Sequence, residues 1–199
     1  NIFFCPQILL SQGWSENQLL EIDDQGRISS ICEGRSDEAE QQIHGAVMPG
    51  MPNLHSHAFQ RAMAGLTETR SGKEDSFWSW RKRMYQFLEV LTPEDVQVIA
   101  SQLYLEMLKA GFTSVGEFHY LHHAVDGQKY DNPAEMSERI LAASDATGIG
   151  LTHLPVLYRY GDFGAKEPSL QQCRFLHQPE DFLRLLERLL PFFEQHTVR

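Results

Sequence analysis

From residue 46 onward, short apolar runs alternate with stretches of helical spacing, and this alternation most narrows the fold. Gly45-Ala46-Val47-Met48-Pro49-Gly50 reads as a buried strand, and Ala58–Leu66 as a helix followed by a polar loop over Thr67–Asp75. Ser76–Leu91 carries Phe77, Trp80, Met84, Leu88 and Leu91 at spacings of three and four, the stripe of an amphipathic helix. Thr92-Pro93-Glu94-Asp95 opens the next helix with a threonine cap, proline at the first helical position and acids in the first turn. That helix buries Val96, Ile99, Leu103, Met107 and Leu108 and stops at Gly111. Phe112–Phe118 and Ile149–Leu157 read as further strands, separated by a helix that Asn132-Pro133-Ala134-Glu135 begins and that ends before Gly148. Residues 158–178 read as a long loop. Pro179 starts a last helix with Phe182, Leu185, Leu186 and Leu189, which Pro191 is expected to end or kink. Strands alternating with helical stretches imply a parallel sheet.

Residues 1–45 follow another pattern. Ile2–Cys5, Gln7–Leu10, Leu19–Ile22 and Arg27–Ile31 are short β-like runs, and Asp23-Asp24-Gln25-Gly26 marks a hairpin turn. Too few to stand alone, these strands need a partner sheet. The expected division is a small β domain over 1–45 and an α/β domain over 46–199. A complete eight-stranded barrel needs roughly 200–250 residues. With about three strand–helix units, the α/β part is either an open sheet or part of a barrel.

The formal charge of −10, from 17 basic and 27 acidic residues, sets the chain against a nucleic-acid role. Cys5, Cys32 and Cys173 are odd in number and lack Cys-x-x-Cys spacing, which fits free thiols in a reducing compartment. No apolar run approaches the roughly 20 residues of a bilayer span, and the first residues do not resemble a signal peptide. A soluble cytoplasmic protein without a membrane partner is expected.

The chemistry centres on Pro52-Asn53-Leu54-His55-Ser56-His57. Residues two apart on a strand point to the same side, so His55 and His57 can reach one ion; the alternative is two histidines in a polar loop. Gln60, five residues past His55, can face the same site or be solvated. Arg81 follows Phe77 by four and precedes Met84 by three, which puts its charge on an apolar stripe. There it needs an anion: a substrate carboxylate, or an internal Asp or Glu. Tyr120 follows the second strand, where its hydroxyl either binds substrate or lies in the wall. Glu117 reads as a paired buried carboxylate and His153 as a satisfied core histidine. His119, His122 and His123 form a competing metal cluster. Trp78, Trp80 and Phe87 read as core or interface.

Four segments resemble one family. Met48–Gly65, Phe77-Trp78-Ser79-Trp80-Arg81, Gly116-Glu117-Phe118-His119-Tyr120-Leu121-His122-His123 and Leu154-Pro155-Val156-Leu157-Tyr158 resemble, in order, the formimidoylglutamate deiminases of the amidohydrolase superfamily. The resemblance implies a TIM-like (β/α)8 metallo-dependent hydrolase barrel, of which residues 46–199 are the first half, preceded by part of a small β-sandwich domain. It implies one Zn(2+) per active site, with His55 and His57 as the first two ligands. It matches Gln60, Arg81 and Tyr120 to substrate-binding positions. It implies hydrolysis of N-formimino-L-glutamate to N-formyl-L-glutamate and ammonia in histidine degradation, with a homodimer possible. The family's remaining ligands and its catalytic acid and base are expected beyond residue 199. Two rival readings stay open: another deaminase of the superfamily acting on a purine, pyrimidine or related amidine, and a non-catalytic metal-binding fragment.

Overall fold

The computed structural model describes residues 1–67 and 77–195, with side chains through residue 193. The chain divides into two compact units, Asn1–Gly50 and a second that begins at Met51. Most of the polar loop expected over Thr67–Asp75 lies outside the described residues.

The first unit is one sheet. β1 (Ile2–Leu10) pairs antiparallel with β2 (Gly13–Ile22), which pairs antiparallel with β3 (Ile28–Glu33). The β2–β3 turn falls at Asp23–Arg27, where the Asp23 carboxylate accepts the Gln25 and Arg27 amides. β4 (Gln41–Gln42) and β5 (Ala46–Val47) lie parallel to β1. Cys5, Ile8 and Leu20 form its small core.

The run over residues 45–50 is therefore not the buried strand that leads into the histidine pair. Its residues are mostly exposed, and Ala46–Val47 belongs to the first sheet. The strand that carries His55 is β6 (Met51–Ser56), which runs through Pro52.

β6 pairs in parallel with β7 (Phe112–His119), and β7 with β8 (Gly150–Pro155), in the order β6-β7-β8. Along β7, Val115, Glu117 and His119 are buried, alternating with half-buried Ser114, Gly116 and Phe118, the period of two of a pleated strand. Val115 packs in the main core with residues of α1 (Phe77–Leu88), α2 (Pro93–Lys109) and α3 (Glu135–Thr147), among them Met84, Val96, Tyr104 and Ile140. Parallel strands with crossover helices on them make this unit a mixed α/β fold.

Local chemistry explains the boundaries. At the start of α2, Thr92 Oγ1 accepts the Asp95 amide and Asp95 Oδ2 accepts the Thr92 amide, a closed capping box with Pro93 at the first helical position. α3 ends at Gly148, whose φ of 78° is the left-handed value that favours glycine at this position. Residues 58–66 form a 3₁₀ segment over Ala58–Met63 rather than a full helix. Arg61 ties it to α2 through a two-pronged ion pair with Glu106, at 2.7 and 3.0 Å.

Two further expectations are corrected. Residues 158–178 are not a plain loop: a 3₁₀ helix over Leu170–Phe175 buries Gln172, Arg174 and Phe175. Its polar side chains hide it from an apolar pattern. The last helix, α4 (Pro179–Gln195), runs through Pro191. Pro191 is exposed, while Leu185, Leu189 and Phe192 pack with Ala134 and Leu141 on both sides of it. That continuous packing offsets the hydrogen bond the proline forfeits, a loss of about 3 kcal/mol.

Candidate metal and substrate site

The site grows from the C-terminal end of β6. His55 is its second-last residue and His57 is the first after it, at the start of the 3₁₀ segment. Their Nε2 atoms lie 3.0 Å apart. Two nitrogens bound at about 2.0–2.1 Å to one tetrahedral zinc stand roughly 3.3 Å apart, so the two rings already aim at a shared point.

The strand next door sets the tautomer. His57 Nδ1 lies 2.8 Å from the carbonyl oxygen of Phe118, which can only accept. Nδ1 therefore carries the proton and Nε2 keeps its lone pair for a ligand, the usual arrangement at metal-binding histidines. Burial, the largest influence, holds the His57 pKa below its ordinary value; the carbonyl contact opposes it and neighbouring His55 adds to it. The ring stays neutral and ligand-competent at neutral pH. Phe118 also packs its ring on His55, at 5.5 Å between centroids, and on His57 at 5.3 Å.

Gln60 and Tyr120 meet in this corner. Gln60 Nε2 donates to Tyr120 Oη at 2.8 Å, and the Tyr120 ring stands edge-on to His57 at 5.1 Å. Burial pushes the Tyr120 phenol upward, so it stays protonated and can donate a hydrogen bond.

Arg81 makes no ion pair among the described residues, and Asp162 acts on its charge only through space. Its Nε donates to Tyr85 Oη at 3.0 Å, and its guanidinium lies over the Trp78 and Tyr85 rings, at 5.7 and 5.4 Å. Among the described residues no carboxylate pairs with it. The apolar stripe thus accommodates the charge on aromatic faces. The exposed Trp78 is part of this stack and not core, while Trp80 and Phe87 pack at the core's edge.

The competing histidines behave differently. His119, His122 and His123 are buried and join His153 and His177 in one cluster, with neighbouring ring centroids 4.5 to 6.3 Å apart. His122 Nε2 donates to the Val156 carbonyl and His123 Nε2 to the Leu176 carbonyl. His153 is buried as expected but is not satisfied among the described residues, where neither ring nitrogen has a hydrogen-bond partner. Among the described residues no three His, Cys, Asp or Glu side chains converge as a metal site. The donor set in hand is the pair His55 and His57. Two open clefts, one beside Met63 and Arg83 and one beside Tyr85 and Arg174, contain neither histidine.

Two supports of the site have no sequence signature of their own. The Phe118 carbonyl is backbone. Glu117 is paired as expected, but with an amide: its Oε1 accepts the Ala58 N–H at 2.6 Å.

The amidohydrolase family model matches residues 46–185, from just before β6 into α4. The chain belongs to the amidohydrolase family. Formimidoylglutamate deiminase from Pseudomonas aeruginosa is 52% identical over 186 residues, 94% of this chain and 41% of the relative. The crystal structure of an amidohydrolase from Brucella melitensis superposes with a TM-score of 0.89 at 47% identity, covering 98% of this chain and 43% of that one. An adenosine deaminase from Xanthomonas campestris solved with bound zinc shares the fold, with a TM-score of 0.66 at 16% identity over 99% of this chain and 40% of that one. The chain thus spans about two-fifths of the length of these amidohydrolase relatives. No described helix is long and apolar enough to cross a membrane.

Proposed function

We propose that this chain supplies the first metal-binding corner and part of the substrate wall of a zinc-dependent formimidoylglutamate deiminase. The convergence of His55 and His57 Nε2, with the His57 proton held on the Phe118 carbonyl, carries the metal assignment. The substrate assignment rests on the 52% identity to the Pseudomonas deiminase. In this reading residues 51–199 are the first strands and helices of a (β/α)8 barrel, and residues 1–50 are part of a small β-sandwich domain.

The reaction adds water across the formimino carbon of N-formimino-L-glutamate, releasing ammonia and leaving N-formyl-L-glutamate. A bound zinc ion supplies water acidic enough to lose a proton near neutral pH. His55 and His57 would hold that ion as neutral ligands, and the Phe118 carbonyl keeps the second ring from turning. Tyr120, protonated and bonded to Gln60, offers a hydroxyl beside His57. The Gln60 amide oxygen is left to accept an N–H, while its amide nitrogen donates to Tyr120 Oη and to the Met84 sulfur. Arg81 places a permanent charge on the same helix as Met84, whose sulfur lies 3.9 Å from Gln60 Nε2 and 3.8 Å from Tyr120 Oη. It is the group in this chain suited to a glutamate carboxylate, which a neutral purine or pyrimidine lacks.

Ammonia release from N-formimino-L-glutamate by the intact zinc-loaded protein tests the reading. Steady turnover on this substrate, with none on adenosine or cytosine, is expected. Turnover on a nucleobase and none on the formimino acid would overturn it.

A further inference from the structure

We propose that Glu117 is a positioning residue for the His55/His57 corner, an inference that rests on the metal assignment above. Glu117 is 1% exposed, on the core side of β7 and directly opposite Ser56 in the β6–β7 register. A carboxylate in that setting is costly unless it has specific partners. Burial raises its pKa, while the Ala58 amide, the Ser56 hydroxyl and, more weakly, Tyr104 and His55 pull the other way. Ser56 and Ala58 are the residues on either side of His57. Glu117 Oε1 therefore holds the main chain directly after His57, and the next residue on its own strand, Phe118, holds the ring of His57. Two consecutive positions of β7 fix one histidine by its main chain and by its Nδ1.

Position 58 explains why a side chain is needed there. Ala58 opens a 3₁₀ segment, where the first N–H groups have no partner within the helix. His57, which precedes it, makes no side-chain cap. Glu117 reaches across from the neighbouring strand to take that N–H. Without this bond the strand-to-helix corner is free to rotate, and the Nε2 atoms lose their common aim. Among the described residues neither the second carboxylate oxygen nor the buried Tyr104 hydroxyl makes a hydrogen bond within ordinary geometry, so the hold on the main chain resides in Oε1.

The test compares Glu117→Gln, Glu117→Ala and Tyr104→Phe in the intact protein, with cobalt(II) as a spectroscopic probe in place of zinc. Glutamine keeps an oxygen for the Ala58 amide, and it is expected to bind cobalt with the wild-type absorption spectrum and affinity within about threefold. Alanine is expected to shift the cobalt spectrum and weaken binding by about 10- to 100-fold, the range typical of groups that orient metal ligands. Tyr104→Phe perturbs the same buried patch without touching the residues beside His57, and it is expected to leave the spectrum unchanged. Should Glu117→Ala not fold, Glu117→Asp replaces it, since its shorter carboxylate falls short of the amide. A wild-type spectrum and affinity in the alanine or aspartate variant would overturn the proposal. So would a glutamine variant as impaired as alanine, which would assign the effect to charge and not to the hydrogen bond. If the wild type binds no cobalt, the metal assignment itself fails, a result distinct from either of these.

Discussion

His57 Nδ1 lies 2.8 Å from the Phe118 carbonyl oxygen, and this contact decides which nitrogen of His57 can serve a metal. It also couples two strands, because the acceptor is on β7 and the ligand follows β6. In the proposed site His57→Ala removes one of the two converging nitrogens and His55→Ala the other. Each variant of the intact protein is expected to lose most of its bound zinc and nearly all turnover. Elemental analysis checks the first point, and full zinc content in both variants would contradict the assignment.

Gly116 sets how closely those two strands approach. A Cβ at this position would stand 3.0 Å from the Leu54 carbonyl oxygen and 3.3 Å from its carbon. The obstacle is backbone one residue before His55, so β6 itself must move to make room. Gly116→Ala is expected to cost about 1–3 kcal/mol, the range of overpacked sites, and to weaken metal binding as well. Urea unfolding followed by circular dichroism measures the first and metal titration the second. Unchanged values in both would mean that β6 shifts freely.

The buried histidine cluster makes stability depend on pH. Burial holds His119 and His122 well below the ordinary imidazole range; it lowers His153 to about 3 and His177 to about 4. The unfolded chain takes up these protons near pH 6.5, whereas the folded chain resists until far lower. Stability is therefore intact above about 6.5 and falls as pH drops from there toward 4 and 3, by up to about 1.4 kcal/mol per pH unit for each such histidine. Melting temperatures measured from pH 8 to pH 5 are expected to fall below 6.5. His177→Phe, which removes one titrating ring, is expected to make that fall shallower. A flat profile would show that the cluster is solvated.

The features legible in the sequence are those whose causes are local. The Thr92-Pro93-Asp95 cap of α2, the Gly148 stop of α3 and the Asp23–Arg27 turn each bond within a few residues of themselves, so their pattern is their mechanism. The convergence of His55 and His57 was legible for the same reason, since the two are two residues apart. What was not legible depends on distant partners. β6 was displaced to residues 45–50 because Pro52 and the exposed Leu54 conceal a strand that β7 stabilises. The 3₁₀ helix over Leu170–Phe175 was hidden because Gln172 and Arg174 are buried through bonds to Tyr158, Gly161, His123 and Leu88. The Phe118 carbonyl and the Ala58 amide are backbone groups: every residue carries the first and every residue but proline the second.

Arg81 is the last test, and the structure sharpens it. The charge does not sit unpaired on an apolar stripe; it is cradled by Trp78 and Tyr85, with Nε occupied by the Tyr85 hydroxyl. Among the described residues no ion pair claims the Nη groups, and Asp162 acts on the charge only through space. If they take a substrate carboxylate, Arg81→Ala lowers kcat/KM by roughly 30-fold to several thousand-fold, the loss of about 2–5 kcal/mol for one member of a hydrogen-bonded charge pair. Arg81→Lys keeps the charge without the planar fork and recovers only part of that activity. Tyr85→Phe keeps the aromatic face but frees Nε, at a cost of about 0.5–1.5 kcal/mol, or roughly two- to tenfold. The control is a pair of substrate analogues in which each carboxylate of N-formimino-L-glutamate is amidated in turn. The wild type should discriminate against one of the two amides, and Arg81→Ala should lose that discrimination. An equal drop on the acid and on both amides would mean that Arg81 supports the stack of Trp78 and Tyr85 and does not read the substrate.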